Sequence, residues 1–451
     1  MKRAKRPRMG PHLKIMKTSV TAPLPSCEAE QQVAYGRTRW LVCALLFFAT
    51  TINYMDRQIL SLLKPILDLQ LHWSNEQYGM VNSAFQGAYA LSLLGFGWLV
   101  DRFGVKLGYA ISIVTWSLAA MGHALVATLS GFLIARVCLG LGEGGNFPSA
   151  VKAVAIWFPK KERALATSLF NSGANAGAIL APALVPAMAL AWGWQSAFIA
   201  AGMAGIVWVV FWILFYHAPE GQEPLAVADE TEEAKTASWA SLFTYRQTWS
   251  FIVAKFLTDP VWWFFLIWLP DYFKKTRHLD LKASWIHLCT IYSIVTVLSI
   301  AGAWFTGYLT KRGWSTTRAR KTCMFFFALC VLPILGVTKT GDWGAVLLIG
   351  LAGAAHQAWS ANLYTTVSDM FPKSSVASVI GLGSMAGCVG GMILPVYSGH
   401  LLDKFQAAGN ISGGYAILFA ICGFAYLIAF ACNHILAPKF EPFDTAGAVS
   451  G

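Results

Sequence analysis

Trp40-Leu-Val-Cys43-Ala-Leu-Leu-Phe-Phe-Ala-Thr-Thr-Ile-Asn53-Tyr54-Met55-Asp56-Arg57-Gln58-Ile-Leu-Ser-Leu-Leu63 is the stretch from which the fold can be read. Sixteen mostly apolar residues precede Asp56, and the whole run is long enough to cross a bilayer as a helix. Two opposite charges nevertheless stand side by side inside it. A charged residue at the centre of a membrane helix costs about 2.5–3.5 kcal/mol on insertion scales. Helical neighbours point about 100° apart, so Asp56 and Arg57 do not share a face and each needs its own partner. That partner is another span, water or a solute. The alternative is that both lie at a helix end and reach the headgroups, but no further polar segment begins until Lys64.

The rest of the chain repeats the theme. Of 451 residues, 56% are hydrophobic and only 12% charged, where a soluble domain carries about 25%. There are 19 Trp, a residue that favours the membrane interface. Apolar runs of spanning length fall at 40–63, 78–100, 108–128, 132–158, 164–190, 196–216, 249–273, 285–309, 322–338, 344–369, 376–400 and 415–435. The segment between His217 and Trp249 is the one long polar interruption, with Glu220, Glu223, Asp229, Glu230, Glu232 and Glu233. The expectation is an all-α integral membrane protein of twelve transmembrane helices. It divides into a disordered basic tail (1–39), a six-helix bundle (40–216), a cytoplasmic linker (217–248), a second six-helix bundle (249–435) and a short tail (436–451).

The formal charge of +12 invites a nucleic-acid reading, which its distribution removes. With the N-terminus inside, 23 Lys and Arg fall on the inner side against seven outside. Arg57, Arg136, Lys152 and Lys255 lie in or at the ends of spans. That asymmetry puts both termini in the cytoplasm; the expected location is the cell (inner) membrane. The charge then reports topology, and no nucleic-acid partner is implied. The first 39 residues show no apolar core or cleavage site before Trp40, so no signal peptide is read there. Nine Cys occur without a CxxC pair, and Cys43, Cys138, Cys388 and Cys422 lie in apolar runs. Neither a disulfide framework, a metal site nor a cofactor is expected.

The halves repeat weakly. Phe158-Pro159-Lys160 recurs as Phe371-Pro372-Lys373, Pro182 as Pro395 and Gly177 as Gly390, each 213 residues on. The loop Gly97-Trp-Leu-Val-Asp101-Arg102-Phe-Gly104-Val-Lys106 has an echo in Gly307-Tyr-Leu-Thr-Lys311-Arg312-Gly313. Duplicated bundles with a site at the midplane are the architecture of an alternating-access carrier.

These residues resemble a known family. The Gly97-x-x-x-Asp101-Arg102-x-Gly104-x-Lys106 loop is similar to the signature of the major facilitator superfamily. Tyr54-x-Asp56-Arg57, Gly142-Glu143-Gly144 with Phe147-Pro148, and Trp157-Phe158-Pro159-x-x-Glu162-Arg163 resemble its anion:cation symporter branch. Phe256-Leu257-x-Asp259-Pro260-x-Trp262 and His356-Gln357-Ala358 resemble the bacterial hexuronate transporters within it. Lys255 stands near a position where a branch member has Arg, which puts that position's role in doubt.

Arg136 and Glu143 lie seven residues, about two helical turns, apart and so share a face. Burial disfavours an ionised carboxylate and a nearby arginine favours it, so a carboxylate held between the two effects can exchange a proton as a solute arrives. Asp56 and Glu143 are the candidate proton-linked pair, with Arg136 as charge partner of one of them; the resemblance implies the same roles. A static ion pair between spans 1 and 4 is the structural alternative. Arg57 offers a planar, permanently charged fork to a substrate carboxylate, or else pairs with Glu143. For hydroxyl recognition the candidates are Tyr54, Tyr89, Asn171, Asn175, Gln357, Trp359, Asn362 and Ser384. The family's cavity, lined by spans 1, 4, 7 and 10, favours Tyr54 and Gln357. Each could equally bond a neighbouring helix. His356 reads as a packing residue. Lys255 and Asp259 at i, i+4 should pair with each other ahead of Pro260. By resemblance, Asp101 and Arg102 form a cytoplasmic gate.

The expected protein is not an enzyme. It is a proton-coupled symporter, a monomer in the lipid bilayer, that imports a small organic anion with protons. A hexuronate such as glucuronate or galacturonate leads, and an aldonate or aldarate is the alternative. A carrier-fold sensor is disfavoured by the short tails and linker, which leave no room for an output domain.

Overall fold

The structure, a computed structural model, describes residues 36, 38–159, 162–217 and 239–441. The basic tail as far as residue 35, most of the 217–248 linker and residues 442–451 lie outside the described residues. All regular structure among the described residues is helical. In chain order it comprises α1 (Thr38–Leu71), α2 (Asn75–His123), α3 (Leu129–Glu143), α4 (Asn146–Trp157), α5 (Arg163–Trp192) and α6 (Gln195–Phe215). A single turn at Trp239–Leu242 precedes α7 (Arg246–Arg277), α8 (Leu281–Lys311), α9 (Thr316–Val331), α10 (Asp342–Met370), α11 (Lys373–Ala407) and α12 (Ile411–Leu436).

These helices make twelve crossings in two six-helix bundles. Helix α2 supplies two crossings, because Gly104 at φ 80° breaks its 49 residues into two arms. Helices α3 and α4 together supply one. Gly144 and Gly145 interrupt that crossing, and Pro148, lacking an N–H, leaves the Gly144 carbonyl without its helical donor. Helix α9 tightens at its end into a 3₁₀ segment, Leu332–Lys339, with Pro333 at its start. Among the described residues, eight segments are long and apolar enough to span by composition. The other four crossings are α1, the first arm of α2, α3–α4 and α10, which hold Asp56, Arg57, Tyr89, Arg136, Glu143 and Gln357 among the residues singled out above.

The duplication is visible in local geometry. Phe158 and Phe371 each end a helix in extended backbone, donating an N–H to the residue four earlier, at 2.9 Å in both cases. A Cβ on Gly177 would stand 2.5 Å from the Thr51 carbonyl of α1. A Cβ on Gly390 would stand 2.6 Å from the Phe256 carbonyl of α7. Each glycine therefore lets the fifth crossing of its bundle close on the first.

Helix α1 runs eight residues past the expected end at Leu63. Lys64, read from the sequence as an outer-loop residue, is 1% exposed and bonded to Asp68 at 2.5 Å and to Asp271 of α7 at 2.9 Å. A lysine can continue the helix here because the other half supplies its counter-charge. The bonds joining the halves gather at this end of the molecule. Tyr78 donates to the Ile267 carbonyl (3.0 Å), Ser83 to Met392 (2.5 Å) and Cys289 to Ile179 (3.1 Å). The opposite end shows ion pairs within a half, Asp101–Lys152 at 2.7 Å and Arg320–Asp369. The seam is thus closed at the end where α1 runs into α2 and α7 into α8.

Candidate functional site

The middle of α1 projects its polar residues in several directions. Asn53 and Asp56 are buried, at 0% and 1% exposure. Arg57, a quarter-turn further round, leaves only 6% of its side chain exposed and faces the seam. Its Nε donates to Glu143 Oε2 at 2.6 Å. Four aromatic rings surround the guanidinium: Tyr54 at 5.0 Å, Tyr89 at 4.5 Å, Phe85 at 5.5 Å and Trp263 at 5.5 Å. Trp263 comes from α7, so the cage is completed by the second half. Cation–π contacts of this kind contribute about 0.5–2 kcal/mol each, most in dry sites.

Glu143 ends α3 and is fully buried. One of its oxygens holds Arg57 while the other, Oε1, has no hydrogen-bond partner among the described residues. Asn53 lies beside it. Arg136, two turns earlier on α3, is 1% exposed and lies over the Phe85 ring at 5.7 Å. Its Nε and Nη2 have no partner among the described residues, and neither oxygen of Asp56 has one. Arg57, Arg136, Glu143 and Asp56 are within electrostatic reach of one another. The cluster holds two cations and two anions with one ion pair made among them. Such unspent bonding capacity in a dry site is costly unless water or solute enters it.

Facing this cluster, α7 presents Lys255, Asp259 and Trp263 at four-residue intervals. Lys255 bonds Asp259 at 2.6 Å, the i, i+4 pair read from the sequence, and donates to Tyr364 Oη of α10 at 2.9 Å. The opposite face of α7, with Phe256, Leu257 and Pro260, lines an apolar groove of about 570 Å³ between α7, α11 and α12. The charged face of α7 therefore looks away from that groove. Trp262 stacks flat on His356 at 5.5 Å, and His356 Nδ1 bonds Tyr426 Oη at 2.6 Å.

The remaining candidates are spread more widely. Tyr54 and Tyr89 gather on Arg57. Gln357 on α10 and Ser384 on α11 are half-buried. Trp359 is fully buried, edge-on to Tyr426 at 5.7 Å. Asn362 returns its amide to the Ala358 carbonyl of its own helix at 2.9 Å. Asn171 and Asn175 lie on the side of α5 opposite Gly173 and Gly177, which pack on α1, so they point away from Arg57. Asp101 is exposed and pairs with Lys152 of α4, and Arg102 is exposed. The sequence reading assigned no role to Asn53 or Phe85. Asn53 and Phe85 each stand four residues before a chosen residue, Arg57 and Tyr89, which was the available signal.

Two pseudo-symmetric bundles, closed together at one end, with a buried charge cluster at their seam, define a membrane carrier; no step of covalent chemistry is asked of any residue. The family model of the Major Facilitator Superfamily matches residues 46–395, and the chain belongs to that family. It is 29% identical over 401 residues to the hexuronate transporter of Escherichia coli (strain K12), covering 85% of this chain and 90% of that protein. It is also 29% identical over 420 residues to the probable galactarate/D-glucarate transporter of Escherichia coli (strain K12), covering 85% and 94%. Among solved structures, a bacterial homolog of the human lysosomal transporter Spinster, inward-facing and occupied, shares the fold. Its TM-score is 0.72 at 16% identity, covering 91% of this chain and 99% of that one.

Proposed function

We propose that this protein is a proton-coupled symporter that imports a sugar-acid anion, a hexuronate first, by alternating access. The observation that carries the reading is the 2.6 Å ion pair between Arg57 and Glu143 inside a ring cage that both halves build. Arg57 is the group a substrate carboxylate would take, and Glu143 already occupies it. The two carboxylates compete for one guanidinium. When the substrate wins, Glu143 is left in a dry site without its cation, where the protonated form is favoured. Anion and proton then enter together. Asp56 and Arg136 complete the charge balance of the loaded cluster. Tyr54, Tyr89 and Trp263 offer a sugar ring hydroxyl partners and flat apolar faces.

The loop-charge asymmetry supports a closed end outside and both termini in the cytoplasm, with the seam open inward. Asp101, with Lys152, then serves as a gate element on the cytoplasmic side. The relatives' substrates support a sugar acid. A second reading, an aldarate, is favoured by Lys255, a cation of the other half on the same face of α7 as Trp263. The test is uptake into proteoliposomes of labelled hexuronates, aldonates and aldarates, with and without a protonophore. The proposal expects hexuronate accumulation that the protonophore abolishes. Accumulation of aldarates alone selects the second reading. Accumulation indifferent to the protonophore removes proton coupling.

A further inference from the structure

The closed end contains an arrangement that the transport reading does not use. Helix α2 begins there, and the first N–H groups of a helix have no partner within it. Ser74 accepts from the Gln77 N–H at 3.1 Å, and Gln77 returns a bond to the Ser74 N–H at 3.0 Å. This box leaves the N–H groups of Asn75 and Glu76 unserved. Both are taken by one carboxylate from the other half. Asp403 of α11 accepts from Asn75 N at 2.9 Å through Oδ1 and from Glu76 N at 2.8 Å through Oδ2. Its Oδ1 also receives the Asn75 side-chain amide at 2.8 Å.

Asn75 extends the tie. Its Oδ1 accepts from Lys64 at 3.1 Å and from Lys275 at 2.8 Å, and its Nδ2 reaches Gln406 at 3.2 Å. Lys64 and Lys275 both pair with Asp271, at 2.9 and 3.4 Å, and Tyr415 donates to Asp271 at 2.5 Å. Two lysines, Asp68 and Asp271 balance in charge around one asparagine, which is only 2% exposed. The backbone approach is as close: a Cβ on Gly399 would collide with the Asn75 backbone.

We infer that Asp403 is a second cap on α2, held across the seam and serving the two N–H groups that the Ser74 box leaves, and that this borrowed cap with Asn75 locks the closed end. When the halves part there, α2 loses two capped N–H groups and the negative charge that complements its dipole. The lock is therefore made of bonds that either half alone would leave unmade. A charged acceptor on helix-terminal N–H groups is among the stronger protein hydrogen bonds.

The test is hydrogen–deuterium exchange on the full chain in lipid nanodiscs without substrate, so it stands or falls independently of the cargo. In Asp403→Asn, exchange of the Asn75–Tyr78 amides should rise by about tenfold or more, the worth of charge-assisted bonds. The 267–275 segment should follow, while α4 and α9, away from the seam, keep wild-type rates. Asp403→Glu should restore part of the protection, and the exposed neighbour change Lys404→Gln should leave it intact. Unchanged protection at Asn75 and Glu76 in Asp403→Asn overturns the inference. So does a rise spread evenly over every helix, which would make Asp403 a residue needed for folding and not for the seam.

Discussion

Arg57 is held more completely than a single salt bridge requires. Its cation rests on Glu143 and on rings from α1, α2 and α7. An uncompensated buried charge costs about 3–5 kcal/mol when one partner of a pair is removed, so Glu143 must meet another cation or a proton whenever Arg57 is given up. Arg57→Ala should abolish binding of acid sugars by calorimetry while the protein still folds, since Glu143 can be protonated in its place. Unchanged affinity would take Arg57 out of the site. At this scale the sequence exposed one side of the relationship. Asp56 and Arg57 stand out because charge inside an apolar run is rare. Glu143, 86 residues away, stood as the alternative partner of Arg57, but no local pattern distinguishes Glu143 bonded to Arg57 from Glu143 bonded to Arg136. Phe85 was invisible for a different reason: an aromatic ring in a membrane helix is the ordinary case, and only the geometry shows that Phe85 and Trp263 face a cation.

The elements were legible where apolarity alone defines them and misread where another element supplies the missing partner. Lys64-Pro65 reads as the end of α1, since a lone lysine and a proline both disfavour a spanning helix. Asp271 from the other half makes the helix continue instead. The split of the fourth crossing follows from Gly144, Gly145 and Pro148, whereas the helical course of α2 through Asp101 and Arg102 up to the Gly104 kink does not follow from composition. The buried Lys64–Asp271 pair offers a direct check. Lys64→Asp alone places like charges together and should lower the thermal midpoint in nanodiscs. The exchange Lys64→Asp with Asp271→Lys should recover part of that loss. Equal midpoints for single and double variants would show that the pair contributes nothing across the seam.

At the scale of the whole molecule, the duplicated Phe-Pro-Lys, proline and glycine positions foretold two like halves, and their caps and helix contacts repeat in space. The sequence could not show at which end the halves meet, because Asn75, Asp403, Lys64 and Asp271 lie in four separate segments with ordinary surface composition. The central claim is that one arginine is contested by the substrate's carboxylate and by Glu143, so that anion binding draws in a proton. Calorimetric titration of hexuronate in buffers of different ionisation enthalpy measures that proton directly. The account predicts proton uptake on binding by the wild type, with affinity rising as pH falls. It predicts little or no uptake, and a flatter pH dependence, in Glu143→Gln. Proton uptake by Glu143→Gln equal to that of the wild type would contradict it.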